Sequence, residues 1–332
     1  MSELNEIAKK MVSAGKGILA ADESSGSVEK KLASVGIEST KENRRAYREM
    51  LLGTEGIEKY ISGVILFDET FRDEMSDGKK FLDLLKGKGI LAGIKVDKGA
   101  KPLANFPGET ITEGLDGLRE RFEEYQKMGA SFAKWRAVIT IGDKIPSEFA
   151  IEANAEALAR YAALAQEAGL VPIVEPEVLM EGVHTIERCE EVTGRTLDAT
   201  FEQLRKHKVE LSGVILKPNM VIAGMKNEKK AVVSEIAKRT IECFRKHIPT
   251  EIPGIVFLSG GQSGEEATIN LNEINKIKGD SPWEISFSYG RALQDEALQL
   301  WRGKPENVAE ARKLFLERAR KVALARMGKY EA

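Results

Sequence analysis

The sequence predicts an α/β protein built as a single (β/α)8 TIM barrel, and three observations carry that reading. Short apolar runs rich in β-branched residues recur eight times along the chain. Longer stretches of helical periodicity lie between them. The span from Asp22 to Gly290 is 290 − 22 = 268 residues, close to the ~250 typical of such a barrel. Strands that alternate with helices predict an all-parallel sheet with helices outside it. A doubly wound open sheet is the rival, because periodicity does not show closure.

The strand-like runs are, in order, Gly17–Ala21, Ile61–Phe67, Leu91–Val96, Phe132–Thr140, Val171–Val174, Gly213–Leu216, Gly254–Leu258 and Glu284–Phe287. Each is short, dominated by Val, Ile, Leu and Ala or Phe, and closed by polar or glycine-containing residues. Between them the spacing predicts helices over Lys41–Leu52, Ile111–Met128, Ile151–Glu167, Leu197–Lys208, Lys229–Lys246, Glu265–Ile277 and Asn307–Leu324. The connection after the third run, Lys98 to Gly108, is irregular, with two prolines and two glycines. No linker or composition change divides the chain. One domain is expected over 1–332, with an N-terminal helical extension (1–16) and a short C-terminal tail (325–332).

Composition excludes several classes of function. Fifty basic and 52 acidic residues leave a net charge of −2, so no global field points to nucleic acid or an anionic membrane. Cys189 and Cys243 are too few for a disulfide framework, and the three histidines share no metal-ligand spacing. No metal site is expected. No run approaches the ~20 apolar residues of a membrane span, and the polar, amphipathic N-terminus lacks a signal-peptide core. The expected location is the cytoplasm.

In this fold the active site lies at the C-terminal ends of the strands, and charged residues gather where the runs stop. They are Asp22 and Glu23, Asp68 and Glu69, Lys95 and Asp97, Lys134 and Arg136, Glu175 and Glu177, and Lys217. Burying a charge is costly unless it is paired. A structural ion-pair network would account for any one of them; convergence on one end of one barrel favours a functional site. A lysine amine is a nucleophile only when neutral, and crowding by other cations lowers its pKa. Lys134 and Arg136 could crowd Lys217 in this way, and Glu175 and Glu177 could move the protons of carbinolamine formation and dehydration.

Two anion sites are also expected. Ser259-Gly-Gly-Gln-Ser-Gly264 sets Gly260 and Gly261 in a turn between a strand and a helix, where free N–H groups and the helix dipole attract an anion. Gly290 and Arg291 follow the last strand beside it. The second candidate is the first loop, with Ser24, Ser27, Lys30 and Lys31, and with Lys95 two strands along; a capped helix with a solvated basic face is the alternative there. Two such sites on either side of a lysine would suit a bisphosphate.

At these residues the sequence closely resembles class I fructose-1,6-bisphosphate aldolase. The matching runs are Ile18-Leu-Ala-Ala-Asp-Glu-Ser, Gly93-Ile-Lys-Val-Asp-Lys-Gly99, Phe132-Ala-Lys-Trp-Arg136, Val174-Glu-Pro-Glu-Val178, Leu216-Lys-Pro-Asn-Met220, Leu258-Ser-Gly-Gly-Gln262 and Phe287-Ser-Tyr-Gly-Arg-Ala-Leu-Gln294. The resemblance implies reversible cleavage of fructose 1,6-bisphosphate to dihydroxyacetone phosphate and glyceraldehyde 3-phosphate. It implies an imine on Lys217, acid/base work by Glu175, proton removal at the C4 hydroxyl by Asp22 and positioning by Lys134. Ser259, Gly260, Gly290 and Arg291 would hold the C1 phosphate, with Ser24, Ser27, Lys31 and Lys95 contributing at the other. No cofactor and a homotetramer are implied as well. Two departures stand out: Ser25 occupies a position where the family commonly has threonine, and the tyrosine-terminated tail of animal members is missing. Tyr330 matches a tyrosine upstream of that tail, so the terminal role is not carried onto it.

Overall fold

The computed structural model describes residues 2–331. Among them, eight parallel strands close into a barrel. They are β1 (Gly17–Ala21), β2 (Ile61–Leu66), β3 (Leu91–Lys95), β4 (Phe132–Ile139), β5 (Val171–Val178), β6 (Ile215–Leu216), β7 (Gly254–Phe257) and β8 (Glu284–Tyr289). Neighbours in sequence pair in space, and β8 returns to β1 through Ile18–Ser288 and Leu19–Tyr289.

Successive residues on a strand face opposite sides, and the two sides of this barrel have different partners. One row, including Leu19, Ala21, Leu66, Ile94, Val174 and Leu216, belongs to the large core shared with the surrounding helices. The other row forms a smaller cluster of Ile18, Ala20, Ile65, Phe132, Val171, Ile173, Ile215 and Val256 inside the barrel. Ala8, Met11 and Val12 pack into that inner cluster. The N-terminal extension, a helix over Glu3–Met11, therefore plugs the bottom of the barrel. Phe132 fills space that small residues leave open: a Cβ on Gly93 would sit 2.1 Å from its ring.

Several boundaries differ from the sequence reading. β5 continues to Val178 rather than stopping at Val174, every residue buried. Its carboxylates interrupt the apolar pattern, yet each is paired inside the barrel. The helix expected from Ile111 begins at Leu118. Thr110–Thr112 instead pairs antiparallel with Ala100–Pro102, forming a hairpin in the irregular connection. The helix expected from Leu197 runs over Ile186–Lys206; Gly194 and its threonine neighbours mask its first turns, although they are buried against other elements. The helix expected from Lys229 starts at Val233. A helix over Arg291–Trp301 was not anticipated. The last helix ends at Arg326, so the C-terminal tail is shorter than 325–332. It is pinned as well: Tyr330 donates its backbone N–H to Asn272 at 2.9 Å and its hydroxyl to Glu265 at 2.6 Å.

Candidate active site

The inward row that is apolar at the bottom of the barrel becomes charged towards its top. Ile18 and Ala20 on β1 are followed by Asp22. On β4, Phe132 is followed by Lys134 and Arg136; on β5, Val171 and Ile173 by Glu175 and Glu177; on β6, Ile215 by Lys217. The two-residue repeat of a strand thus carries these groups into one cleft of about 300 Å³. Ser24, Ser27, Lys95, Ser259, Gly260, Gly290 and Arg291 also line it.

Four of the charges in the cleft, Asp22, Lys134, Glu175 and Lys217, form one connected array. Lys217 Nζ lies 3.1 Å from Glu175 Oε1. Lys134 Nζ lies 3.1 Å from Glu175 Oε2 and 2.7 Å from Asp22 Oδ2. Lys134, Glu175 and Lys217 are all at most 4% exposed. Burial pushes the Glu175 carboxyl up, but Lys134, Lys217 and Arg136 together hold it below the usual carboxylate range. Burial opposes ionisation of Asp22 too, and Lys134, Lys217 and Lys95 outweigh it, so its pKa is lowered. Lys134 titrates in the reverse sense: burial favours the neutral amine, but Asp22, Glu175 and Asp97 raise its pKa. Lys134 is thereby fixed as a cation between two carboxylates, whereas Lys217 has one carboxylate within ion-pair distance.

Arg136 Nε pairs with Glu177 Oε2, and a Cβ on Gly260 would meet Glu177 Oε1 at 3.0 Å. A side chain at 260 would press on that carboxylate, so glycine lets the loop come close. The helix behind the loop starts at Gly264 and is closed by a capping box, Ser263 with Glu266. Lys95 is held by Asp97, through its carboxylate at 2.7 Å and its carbonyl at 2.8 Å. The hydroxyls of Ser24 and Ser27 lie 3.2 Å apart.

Two expected residues are not brought to the cleft. Lys31 Nζ turns away to Glu23 and Gln294, each at 2.8 Å. The i, i+1 spacing of Asp22 and Glu23 explains this: consecutive residues diverge, so Glu23 leaves the inward row and draws Lys31 with it. Gly261 lies against Met180, and lines an apolar pocket beside the cleft. Conversely, the cleft includes Ser288, which the sequence pattern does not single out. It is 1% exposed and lines the cleft, and its hydroxyl has no hydrogen-bond partner among the described residues. The signal was its place two residues before Gly290 on the inward row of β8. Among the described residues no group of three or more His, Cys, Asp or Glu could hold a metal ion, and no helix is long and apolar enough to cross a membrane.

The family model for class I fructose-bisphosphate aldolase matches residues 3–332. The chain belongs to that family. It is 54% identical to a probable class 1 fructose-bisphosphate aldolase of Xanthomonas axonopodis pv. citri, over 100% of this chain and 99% of the relative. It is also 53% identical to the cytosolic fructose-bisphosphate aldolase 4 of Arabidopsis thaliana, over 96% of this chain and 81% of that one. The fructose-bisphosphate aldolase of Plasmodium falciparum, crystallised with TRAP and a small-molecule inhibitor, superposes with a TM-score of 0.98 at 48% identity, covering 99% of this chain and 95% of that one. As an aldolase of this metal-independent class, the protein is a lyase of glycolysis that reversibly cleaves fructose 1,6-bisphosphate to dihydroxyacetone phosphate and glyceraldehyde 3-phosphate.

Proposed function

We propose that the aldolase works through an imine on Lys217, without a cofactor. The observation that supports this most strongly is the buried array in which Glu175 stands between Lys217 and Lys134. The Lys217 amine adds to the C2 ketone of the substrate to give a carbinolamine. Glu175, 3.1 Å from the amine, moves the protons that let water leave and the imine form. Asp22 accepts the C4 hydroxyl proton as the C3–C4 bond breaks. The bonding electrons pass into the imine, giving an enamine and releasing the aldehyde. Lys134, permanently charged, steadies Asp22 and Glu175 and meets charge developing on substrate oxygens.

Ser259, Gly260, Gly290 and Arg291 hold the C1 phosphate on the loops after β7 and β8, the usual phosphate site of this fold. Ser24, Ser27 and Lys95 serve the second phosphate, with Arg136 and Glu177 shaping the wall between. Lys31 contributes through Glu23 rather than by direct contact. The protein acts as a homotetramer in the cytoplasm, on a small sugar phosphate, with neither nucleic acid nor membrane as a partner. Borohydride reduction in the presence of fructose 1,6-bisphosphate should attach the substrate carbons to Lys217, and Lys217→Ala should abolish both adduct and cleavage. An adduct on another lysine, or an active Lys217→Ala enzyme, would refute the assignment.

A further inference from the structure

We infer that Gln294 is a positioning residue that sets the Asp22 carboxylate for the bond-breaking step. This rests on the role proposed for Asp22. Gln294 lies one turn beyond Arg291, in the helix Arg291–Trp301, and is completely buried. Both ends of its amide are engaged. Its Nε2 donates to the Ala20 carbonyl at 2.6 Å. Its Oε1 accepts from Lys31 Nζ at 2.8 Å and from the Tyr47 hydroxyl at 2.7 Å. The reverse orientation would set an NH2 group against the Lys31 ammonium and an oxygen against the Ala20 carbonyl, so the amide has one favourable setting.

The first contact acts on the end of β1. Backbone pairing between β1 and β8 ends at Leu19–Tyr289. Beyond that point the Ala20 carbonyl is taken up by the Gln294 side chain, and Gly290 packs close to it, a Cβ there lying 3.2 Å away. Ala20 precedes Asp22 by two residues on the same inward row. Fixing its carbonyl fixes the direction in which β1 delivers Asp22 to Lys134.

The second contact acts on Glu23. Lys31, held by Gln294, pairs with one carboxylate oxygen at 2.8 Å, and Arg48 pairs with the other at 2.9 Å. Glu23 is thus drawn away from Lys134 while Asp22 is turned towards it, 2.7 Å away. One buried amide holds both halves of the divergence that the strand spacing sets, and links them to the helix that begins at Arg291.

The test separates imine formation, which uses Lys217 and Glu175, from carbon–carbon cleavage, which also uses Asp22. Gln294→Leu should melt as a folded protein and form the borohydride-trapped adduct with dihydroxyacetone phosphate at the wild-type rate. Its kcat for fructose 1,6-bisphosphate cleavage should fall roughly tenfold to a hundredfold, the scale expected for misplacing a reacting group by about 1 Å. Unchanged cleavage would overturn the assignment, and so would equal losses in cleavage and trapping, which would mean a general loosening of the barrel. If Gln294→Leu does not fold, Gln294→Glu carries the same comparison, since it keeps the acceptor for Lys31 and Tyr47 but lacks the donor to Ala20. Asp22→Asn should show the same split. If it cleaves at the wild-type rate, the role of Asp22 has failed first, and that of Gln294 falls with it.

Discussion

Two strands present acidic pairs at the mouth of the barrel, and they use them differently. On β5 the pair is Glu175 and Glu177, two residues apart, so both point inward, each against a cation of β4 or β6. After β1 the pair is Asp22 and Glu23, adjacent, so the two part company. Asp22 joins Lys134 in the cleft, and Glu23 goes to Lys31 and Arg48 at its edge. The one-residue spacer Pro176, or its absence, thus decides whether the second carboxylate stays on the inward row or leaves it. The period-2 geometry of the strand carries that decision.

Substitutions should break the comparison in graded steps. Glu175→Gln removes the proton donor and acceptor beside Lys217, and kcat should drop about 10²- to 10⁴-fold, measured as steady-state cleavage. Glu23→Gln should cost folding stability more than turnover. The glutamine keeps one acceptor oxygen for Lys31 or Arg48 and sets its NH2 against the other cation, so about 1–3 kcal/mol should go, read by denaturant unfolding, with the imine still trapped at the wild-type rate. A Glu23→Gln enzyme as inactive as Glu175→Gln would erase the distinction.

Acid should reveal what the two pairs share. Asp22, Glu23 and Glu175 are all held below their ordinary values of 3.8, 4.5 and 4.5 by neighbouring cations that outweigh burial. Carboxylates depressed by folding contribute stability that is fully present above those unfolded-state values. That stability is lost progressively as pH falls from there through the lower folded-state values. Tm should therefore hold between pH 7 and about 5 and decline below it, with a shallower decline in Glu23→Gln. The smallest effect on catalysis is expected at the C-terminus. Truncation after Met327 removes the Tyr330 contacts to Asn272 and Glu265, so Tm should fall while cleavage stays largely intact. A large loss of turnover would make the tail catalytic.

Much of the fold was legible because its signal is periodic. The eight strand runs and the charges that end them could be read directly, since a lysine or glutamate breaking a valine-rich run is conspicuous. Boundaries were less legible where a residue serves two demands. Pro176 between two glutamates looks like the end of a strand, yet β5 runs through it because both carboxylates find cations inside the barrel. Gly194 reads as a breaker but belongs to a helix packed against His247, whose ring a Cβ would meet at 2.6 Å. Lys31 looked like a phosphate ligand from its position after a serine-rich turn. Only the three-dimensional neighbours, Glu23 and Gln294, show where its ammonium goes. Ser288 escaped because a serine in an aromatic strand attracts no notice until its inward-facing row is known.

The helix Glu3–Met11 packs its apolar face beneath the apolar cluster that fills the barrel, so the charged cleft opens at the other end alone. Substrate, water and both products share one doorway. On the proposed mechanism, the three-carbon piece is tethered to Lys217 while the aldehyde is free. The water that must release the tethered piece enters by the same cleft. The covalent tether sets the order at that mouth: the aldehyde leaves first, and the tethered fragment follows only after hydrolysis.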